Sequence, residues 1–430
     1  MSHIYPFHKK SCLPAALNID QRAIFSVLLL ILVVFGCTRQ RVFKPPPTTR
    51  ETPSIRVAIQ EKLHQGKLLF LDEFRLTSEE ADYILDSRIG EFTVTYQNGK
   101  LLFRSEARWF EFENFTTIDF LPEKGQRFIW NGITYEGKLV FARDGNRISV
   151  INHLNMPDYL EGVIPHEIPS YTPDYYQAVL SQVVAARTYA LVMIQNPQST
   201  FFDIYSDTRD QVYRGREKNS PLVKRAVEET SGLILQTPDK KLVRIQYHST
   251  CGGVLDHSAY QLNNTITAAA IMKDNLDNSV NCIASPLYRW VRTITGRNLL
   301  TNMVRLGLLG LDRKTDYIEN GYDITLAITS RKKSGRVDKL QFIINGEDIP
   351  VREWQIRTLF ADDSGHPLPS NLFLLKASRN ENDTFYLVGA GFGHGRGLCQ
   401  WGAIGQALRG KSFQDILKFY YPDLVLSRAY

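Results

Sequence analysis

The sequence lacks an unbroken apolar run as long as a conventional bilayer-spanning helix. Its longest run, from Ala23 to Gly36, has 14 residues, whereas a bilayer-spanning helix needs roughly 20. Such a run, after Lys9, Lys10 and Arg22 and ending in a small residue, is typical of a secretory signal. An uncleaved membrane anchor is the alternative. In both cases we expect the remaining chain to lie outside the cytoplasmic membrane.

The end of this run, Gly36-Cys37, resembles a bacterial lipoprotein cleavage box, with Cys37 as the lipidated residue. Residues 1–37 are therefore predicted to be a signal peptide or lipoprotein-type membrane anchor. Residues 38–54 contain three consecutive prolines and are predicted to be an extended linker. We expect an exported protein, anchored to the outer face of a bacterial membrane in the cell envelope or periplasm.

Cysteine is scarce, with five residues in 430. Cys12 would leave with a signal peptide, and Cys37 would be lipidated. Cys251, Cys282 and Cys399 then remain, which is an odd number. In an oxidising compartment three cysteines allow one disulfide and a free thiol, or thiolates on a metal.

The sequence also lacks internal repeats, long low-complexity tracts and a strong charge imbalance. Lys and Arg exceed Asp and Glu by 51 − 45 = 6, a mild excess that suits an anionic partner such as cell wall or nucleic acid. The charges are dispersed, which favours a solvated surface instead, and we expect no nucleic-acid partner. Hydrophobic residues make up 43% and charged residues 22% of the chain. These fractions are typical of a soluble globular protein.

Strand patterns dominate the first half of the exported part. Alternating apolar and polar runs fill residues 68–155, with turns at Asn98-Gly99, Asn131-Gly132 and Asp144-Gly145. We predict a mixed α/β fold of the α+β class, with a β-rich N-terminal half, a long central helix carrying the site, and then mixed strands and helices. The role of residues 68–125 is not assigned. The predicted parts of the domain at 55–430 are the β-rich part 55–155, a catalytic segment 156–290, a scaffold 291–388, and a Gly-rich motif with C-terminal helices 389–430.

One carboxylate stands out because two prolines flank it. Pro165 and Pro169 hold the residues before them extended, so Glu167 is predicted to lie on a short, stiff loop. A helix of about 23 residues is predicted to follow, from a Thr172 cap to Asn196, roughly 34 Å long. A rigid helix beneath a fixed carboxylate suits an acid/base site. An ordinary surface glutamate is the alternative.

Several polar residues around this segment are candidate contacts for a substrate. Arg187 lies among small residues of the predicted helix, and a buried structural arginine is the alternative. The segment SDTRDQVYRG suits a sugar-binding wall or, alternatively, a plain surface loop. Its candidate residues are Asp210, Gln211, Tyr213 and Arg214.

Alternating glycines surround His394, and Gln400 opens a helix directly after them. Glycines at this density let backbone amides approach a ligand closely. Phosphate binding is an alternative, but the Walker lysine pattern is absent. We predict that His394 and Gln400 contact the substrate. A histidine hydrogen-bonded within a Gly-rich turn explains His394 equally well.

A possible metal site follows from YHSTCGG. His248 and Cys251 are three residues apart, and Cys282 follows 31 residues later. One imidazole and two thiolates make an incomplete tetrahedral zinc site. A Cys251–Cys282 disulfide beside an ordinary histidine explains the same residues.

These motifs together resemble the SpoIID/LytB family of bacterial cell-wall proteins. The similarity covers YLEGVIPHEIPSYTPDYYQAVLSQVVAARTYA, SDTRDQVYRG, YHSTCGG, SGRV, GFGHGRGLCQWGAIGQA and ILKFYYPD. It implies a lytic transglycosylase that cuts peptidoglycan glycan strands stripped of stem peptides, with Glu167 as the catalytic residue. It also implies zinc on His248, Cys251 and Cys282. The family includes amidase enhancers as well.

A lytic transglycosylase needs only one carboxylate, because the C6 hydroxyl of the sugar is the nucleophile. We expect protonated Glu167 to donate to the glycosidic oxygen and then to accept the C6 hydroxyl proton, giving a 1,6-anhydromuramoyl end, in sporulation or septal division. Its pKa must be raised for this role, which an apolar pocket can achieve. The alternatives are a non-catalytic, glycan-binding enhancer of an N-acetylmuramoyl-L-alanine amidase, and a zinc hydrolase.

Overall fold

The computed structural model describes residues 51–78, 82–256, 260–262, 265–266, 275–276, 279–378 and 384–430. The predicted signal or anchor, Cys37 and most of the proline-rich linker lie outside these residues. Strand makes up 37% and helix 26% of the structure, so the predicted α+β class with its β-rich N-terminal half is confirmed.

Two sheets form the β-rich half. The first sheet has, in spatial order, β13 (Ile204–Tyr205), β1 (Ser54–Gln60), β12 (Arg147–Asn155), β11 (Lys138–Asp144), β8 (Thr117–Lys124), β3 (Glu73–Thr77) and β4 (Asp82–Leu85). The second has β10 (Ile133–Glu136), β9 (Arg127–Trp130), β2 (Gln65–Phe70), β5 (Phe92–Gln97), β6 (Lys100–Arg104) and β7 (Trp109–Phe112). Their neighbouring strands pair antiparallel, except that β13 runs parallel to β1.

An aromatic layer joins the two sheets. Phe103 of the second sheet lies 5.5 Å from Phe120 and 5.1 Å from Phe141 of the first, measured between ring centroids. All three side chains are almost fully buried. They point inward because alternate residues of a strand face the same side of a sheet. Edge-to-face and tilted ring contacts of this kind add to the free energy gained by burial.

Helix α1, at Met156–Glu167, corrects the prediction of a loop around Glu167. Pro165 lies inside its last turn, where a proline removes a hydrogen bond and costs about 3 kcal/mol in a helix interior. Burial of Tyr159, Leu160 and Val163 offsets this cost, since each large apolar side chain contributes roughly 1.5–3 kcal/mol. The flanking-proline rule therefore fails for Pro165 because tertiary packing outweighs local preference.

The long central helix is confirmed. A 3₁₀ turn at Pro173–Tyr175, capped by the Thr172 side chain, leads into α2 at Tyr176–Gln195. Within the described residues this is the one helix with the length and apolar composition to cross a membrane, but 83% of its most apolar stretch is buried inside the protein. Its small residues let other helices and strands approach closely on all sides, so it is the central element of the main core.

The predicted scaffold, residues 291–388, is an insertion in the chain of the main core. The rest of the main core comes from short elements that precede and follow this insertion. They are α3 (Pro221–Glu229), β14 (Leu233–Gln236), β15 (Arg244–Ile245), β16 (Tyr247–His248), β27 (Leu398–Cys399), α7 (Gln400–Leu408), α8 (Phe413–Tyr420) and β28 (Val425–Arg428). Strand β28 pairs with β14 near the C-terminus, and β27 pairs in parallel with β16. Between β16 and Arg289 the described strands are short: β17 (Tyr260–Leu262), β18 (Thr265–Ile266), β19 (Asn275–Leu276) and β20 (Ser279–Val280).

The predicted scaffold has a hydrophobic core of its own. Its first and last strands pair antiparallel, with Arg289 opposite Ala390, so the chain leaves and returns at one place. Trp290 also donates its ring N–H to the Gly391 carbonyl there. The elements are β21 (Arg289–Thr295), α4 (Gly296–Arg305), α5 (Leu311–Asn320), β22 (Ile324–Arg331), β23 (Val337–Ile344), β24 (Glu347–Val351), α6 (Glu353–Leu359), β25 (Phe373–Ser378) and β26 (Thr384–Ala390).

Gly162 in α1 gives a test of this packing. Alanine in place of a helix-interior glycine normally stabilises a protein by roughly 0.5–1 kcal/mol. Here the added Cβ would lie 2.4 Å from the Tyr213 ring and 2.8 Å from the Gly215 carbonyl oxygen. We expect Gly162→Ala to lower the free energy of unfolding by about 1–3 kcal/mol, because the added methyl group would force α1 and the Tyr213 segment apart. Urea unfolding measures this change.

Gly310→Ala is the matched control, because no heavy atom lies within 4 Å of a Cβ added there. Equal unfolding free energies for the two variants would contradict the close approach of the Tyr213 segment to α1.

Candidate active site

Glu167 ends α1, where three separate segments meet. Its Oε1 accepts the backbone N–H of Val212 at 2.9 Å, and its Oε2 accepts the Gln400 side-chain N–H at 3.4 Å. The next residue, Ile168, is extended, as the residue before a proline tends to be. The prediction that each flanking proline holds the residue before it extended is therefore correct for Pro169 but not for Pro165.

Burial raises the pKa of the Glu167 carboxyl to about 7, although the two hydrogen bonds from Val212 and Gln400 favour the charged form and lower it in part. The side chain keeps some contact with solvent. Tyr159 and Tyr247 lie close by, and burial together with the Glu167 charge raises their pKa well above the usual value. Their hydroxyls are therefore neutral, and Glu167 is the group of the three that can exchange a proton near neutral pH.

The loop at residues 206–217 carries four of the predicted substrate contacts, and three of them point into the protein. Asp210 accepts hydrogen bonds from the Tyr189 hydroxyl at 2.6 Å and the Tyr205 N–H at 2.9 Å. Gln211 and Tyr213 are almost completely buried. The structure thus places these three residues where they hold the loop, with Val212 between them presenting its N–H to Glu167.

Gln211 shows how this support works. It accepts a hydrogen bond from the Tyr159 hydroxyl at 2.8 Å and donates one to the Tyr247 hydroxyl at 2.7 Å. The Tyr213 hydroxyl donates to Asn152 Oδ1 at 2.7 Å. Buried polar groups that are all paired in this way fix a loop in one conformation. The sequence reveals the polar residues of this loop but not the side to which each one points.

Arg187 lies in the interior, where it cannot contact a glycan. It is 1% exposed and donates to the carbonyl oxygens of Thr230, Leu233 and Val227. This corrects its assignment as a substrate contact and agrees with the alternative of a structural arginine. It closes the end of α3 because the last carbonyls of a helix have no partners within the helix.

A half-buried ionic cluster, not anticipated from the sequence, anchors the other end of the loop. Arg216 contacts Glu136 of β10 at 2.5 Å and Asp158 of α1 at 2.9 Å, and it also pairs with Glu161. The nearby Arg214 N–H donates to the Gly162 carbonyl oxygen. The loop is therefore tied directly to the helix that ends at Glu167.

A surface pocket of about 520 Å³ opens at Val212 and His166. Val212 and His166, which are respectively a hydrogen-bond partner and a chain neighbour of Glu167, both line it. Arg214 and Lys218 are exposed there, so Arg214 is the one member of the predicted loop set that faces solvent. The lining residues are Asn131, Gly132, Ile133, His166, Val212, Arg214, Glu217 and Lys218.

The Gly-rich segment packs between this site and the cysteines. His394 is exposed, and its Nδ1 accepts the Arg396 N–H at 3.0 Å. Its ring centroid lies 5.5 Å from that of His248. A Cβ at Gly395, whose φ is +81°, would lie 2.2 Å from the Arg336 guanidinium. The alternating glycines thus admit close packing of side chains from three segments.

His248, Cys251 and Cys399 offer ligand atoms that all lie within 4.8 Å of one another. Cys282 joins them, with its Sγ 3.5 Å from that of Cys251. No disulfide joins these three cysteines in the described structure. Hydrogen bonds from Cys251 and Cys399 hold the pKa of the Cys282 thiol well below its usual range. The predicted ligand set does not include Cys399. The sequence offers one indication of it, because an odd number of cysteines remains in the exported part and a disulfide would leave one of them over.

Family models match most of this region. Residues 144–236 match the family described as Stage II sporulation protein (SpoIID), and residues 236–397 match a domain of unknown function (DUF8618). Glu167 and its partner Val212 lie within the first match. The second begins before β16 and covers the insertion with its own core.

Whole-chain relatives extend the similarity. An uncharacterised protein of Brachyspira hyodysenteriae is 31% identical over 296 residues, which cover 68% of this chain and 72% of the relative. The stage II sporulation protein D of Bacillus subtilis is 24% identical, covering 65% and 76%. The amidase enhancer of Bacillus subtilis is 26% identical, covering 62% of this chain but only 40% of that protein.

The match to the family model and the coverage of these relatives show that the chain belongs to the SpoIID family. The resemblance identified from the motifs is therefore confirmed.

The raised pKa of Glu167 gives a pH-dependent test of stability. Its pKa rises from 4.5 to about 7 on folding, so the folded protein retains a proton that the unfolded chain has lost. This group therefore destabilises the fold increasingly as pH rises from about 4.5 to 7, by at most about 3 kcal/mol. We expect Glu167→Gln to raise the melting temperature relative to wild type more at pH 8 than at pH 5.

Glu228→Gln, on the exposed face of α3, is the control and should show no such trend. A melting-temperature difference between Glu167→Gln and wild type that stays constant with pH would contradict a buried, protonated carboxyl.

Proposed function

We propose that this protein is a peptidoglycan lytic transglycosylase that acts on glycan strands. The observation that carries the proposal is Glu167, a carboxyl with a pKa of about 7 that is fixed by Val212, and both Val212 and the preceding residue His166 line an open pocket. A group with that pKa is both a good acid and a good base near neutral pH. Membership of the SpoIID family supports cell-wall glycan as the substrate class.

The reaction needs two proton transfers, and the same carboxyl makes both. Protonated Glu167 donates to the glycosidic oxygen as the bond to C1 of the muramoyl residue breaks. The resulting carboxylate takes the proton from the C6 hydroxyl of the same sugar, whose oxygen then bonds to C1. The products are a 1,6-anhydromuramoyl end and a free hydroxyl on the leaving sugar, so no water is consumed and Glu167 returns to its protonated form.

Val212 and Gln400 assist the charged half of this cycle. Both donate hydrogen bonds to the Glu167 oxygens, and such bonds stabilise a carboxylate more than a neutral carboxyl. They also fix the rotamer of the side chain. Gln400 is 5% exposed, so it acts on Glu167, which corrects its prediction as a direct substrate contact.

The pocket favours strands without stem peptides. Removal of a stem peptide leaves the lactyl group of muramic acid with a free carboxylate. Arg214 and Lys218 present cations on the pocket wall, whereas the wall has one carboxylate, Glu217. We infer that these two cations bind the lactyl carboxylate beside the scissile bond. His394, exposed on the Gly-rich segment, remains a candidate sugar contact.

Zinc is the proposed cofactor, and the donor set fits it. Thiolate and imidazole are the ligands of structural zinc sites, and the buried Nε2 of His248 has no hydrogen-bond partner. His248, Cys251 and Cys282 would hold the ion, which would supply a cross-link between chain segments. Transfer of the Glu167 proton does not depend on a metal-bound water, because the sugar hydroxyl is the nucleophile.

The same proposal places the protein in the bacterial cell envelope, with residues 1–37 as signal or anchor, Cys37 as the lipidated residue, and residues 55–430 as the working domain. Relatives named for stage II sporulation suggest a role in sporulation, and septal division is the other setting for cleavage of peptide-free strands.

A second candidate function rests on the match to an amidase enhancer. In that case the pocket binds glycan without cutting it, and the protein stimulates an N-acetylmuramoyl-L-alanine amidase that removes stem peptides. It predicts glycan binding by the purified protein, no released product, and faster amidase turnover when both proteins are present.

Replacement of the acid tests the first proposal. We expect Glu167→Gln to lower turnover on peptide-free glycan strands by at least about a hundredfold, the usual contribution of a general acid/base group. Mass analysis of released fragments gives the rate of anhydro-end formation. Wild-type turnover should also fall above about pH 7, as Glu167 loses its proton. Glu228→Gln is the control, and anhydro products from Glu167→Gln at the wild-type rate would rule out the assignment.

Recognition of the lactyl carboxylate is tested by Arg214→Ala and Lys218→Ala. We expect each to raise KM for peptide-free strands about fivefold, because an exposed charge pair contributes about 1 kcal/mol, with little change in kcat. KM for strands that keep their peptides should change less. Lys411→Ala, at an exposed lysine outside the pocket, is the control. An equal change in KM on both substrates would contradict the proposed contact.

A further inference from the structure

We propose that Cys399 is the fourth ligand of a closed Cys₃His zinc site, formed with His248, Cys251 and Cys282, and that this site fixes the start of α7 beside Glu167. The inference goes beyond the proposed lytic activity, since it concerns the coordination shell and can be tested by metal content and spectroscopy alone. It adds one ligand to the three that the sequence indicates.

Strand pairing brings the fourth ligand into place. Strands β16 and β27 run parallel, with His248 directly opposite Cys399. Cys251 follows β16 by three residues, and its N–H donates to the Cys399 sulfur at 3.2 Å. His248 is 5% exposed, and the three cysteines are completely buried. Residues as far apart in the chain as Cys251 and Cys399, 148 positions, therefore meet in one buried cluster.

The histidine has the tautomer that a metal ligand requires. Its Nδ1 lies 2.9 Å from the Arg396 carbonyl oxygen, and a carbonyl can only accept, so Nδ1 carries the proton. In the neutral ring Nε2 then keeps its lone pair, and it is buried without a hydrogen-bond partner. Metal-bound histidines commonly use their second nitrogen in this way, to orient the ring.

The spacing of the sulfurs suits a tetrahedral ion. The Sγ atoms of Cys251 and Cys282 are 3.5 Å apart, whereas a disulfide needs about 2.05 Å. Two thiolates on one zinc, each about 2.3 Å from it, lie about 3.8 Å apart at the tetrahedral angle. The separation is thus much closer to that of two ligands than to that of a bonded pair.

A buried cation offsets the charge of such a site. Three thiolates and Zn²⁺ carry a net charge of −1. The Arg336 guanidinium is 3% exposed and donates to the carbonyl oxygens of Cys251 and Val254. The nearest acid, Asp256, has its own partner in Arg396. Arg336 comes from the insertion, so the insertion would contribute the balancing charge.

A closed shell makes the metal structural rather than catalytic, because four protein ligands leave no position for water or substrate. The metal would influence the active site because one of its ligands is the direct chain neighbour of a residue that contacts Glu167. Cys399 immediately precedes Gln400, whose side chain donates to Glu167. The Cys399 sulfur also accepts the Gly402 N–H at 3.3 Å, so it caps α7. Ligation of Cys399 would therefore hold Gln400 in place.

The test uses the full-length protein, purified in detergent under reducing conditions. We expect about one zinc per chain and, by X-ray absorption, three sulfur ligands and one nitrogen ligand. In the Co²⁺-substituted protein, Cys399→Ser should lower the thiolate-to-cobalt charge-transfer band by about one third, since two of three thiolates remain. Ser87→Ala, at an exposed residue outside the cluster, is the control and should leave the band unchanged.

Wild-type X-ray absorption needs no variant, so the result stands even if Cys399→Ser does not fold. Two sulfur ligands with an oxygen in the shell, a zinc-free protein with a Cys251–Cys282 disulfide, or an unchanged cobalt band in folded Cys399→Ser would each overturn the proposal. A Cys₃His shell in a protein without lytic activity would support this site and reject only the proposed function.

Discussion

The structure depends on the burial of one carboxyl at the end of a helix that contains a proline. Glu167 lies where α1, the loop at 206–217 and the start of α7 meet, and its two oxygens accept one hydrogen bond from each of the latter two. Burial raises its pKa to about 7, while these donors limit the rise. The balance between the two effects keeps the group able to give and to take a proton at neutral pH.

Much of the surrounding structure holds these three segments together. Arg216 ties the loop to α1 and β10 by ion pairs, and the buried tyrosines and Gln211 fix it from inside. The Cys/His cluster and β27 hold the other side, next to Gln400. The β-rich half, whose role is not evident from its sequence, contributes to the site in two ways. It supplies Glu136 to the ion pairs of Arg216, and it supplies residues 131–133 to the pocket wall.

The sequence predicts the parts of this site that depend on local chemistry. Strand alternation, Asn-Gly turns and the Thr172 cap predict the sheets and α2, and the motifs predict the family. The catalytic role of Glu167 stays a prediction. The sequence does not predict the loop around Glu167 correctly, because burial of one face of α1 outweighs the cost of Pro165.

Side-chain direction is the other part that sequence cannot supply. Arg187, Asp210, Gln211 and Tyr213 look like substrate contacts from their polarity, yet each faces the interior and has hydrogen-bond partners there. Cys399 shows the reverse case, since only the parallel pairing of β16 and β27 reveals that it lies beside His248. Long-range pairing, rather than composition, decides both outcomes.

The central claim is that one carboxyl suffices because the substrate supplies the nucleophile. Digestion of peptide-free glycan strands in heavy-oxygen water tests it most directly, with the products weighed by mass spectrometry. The account predicts 1,6-anhydromuramoyl ends with no heavy oxygen incorporated. Reducing ends that carry one heavy oxygen per cleavage would show that water is the nucleophile and would contradict the account.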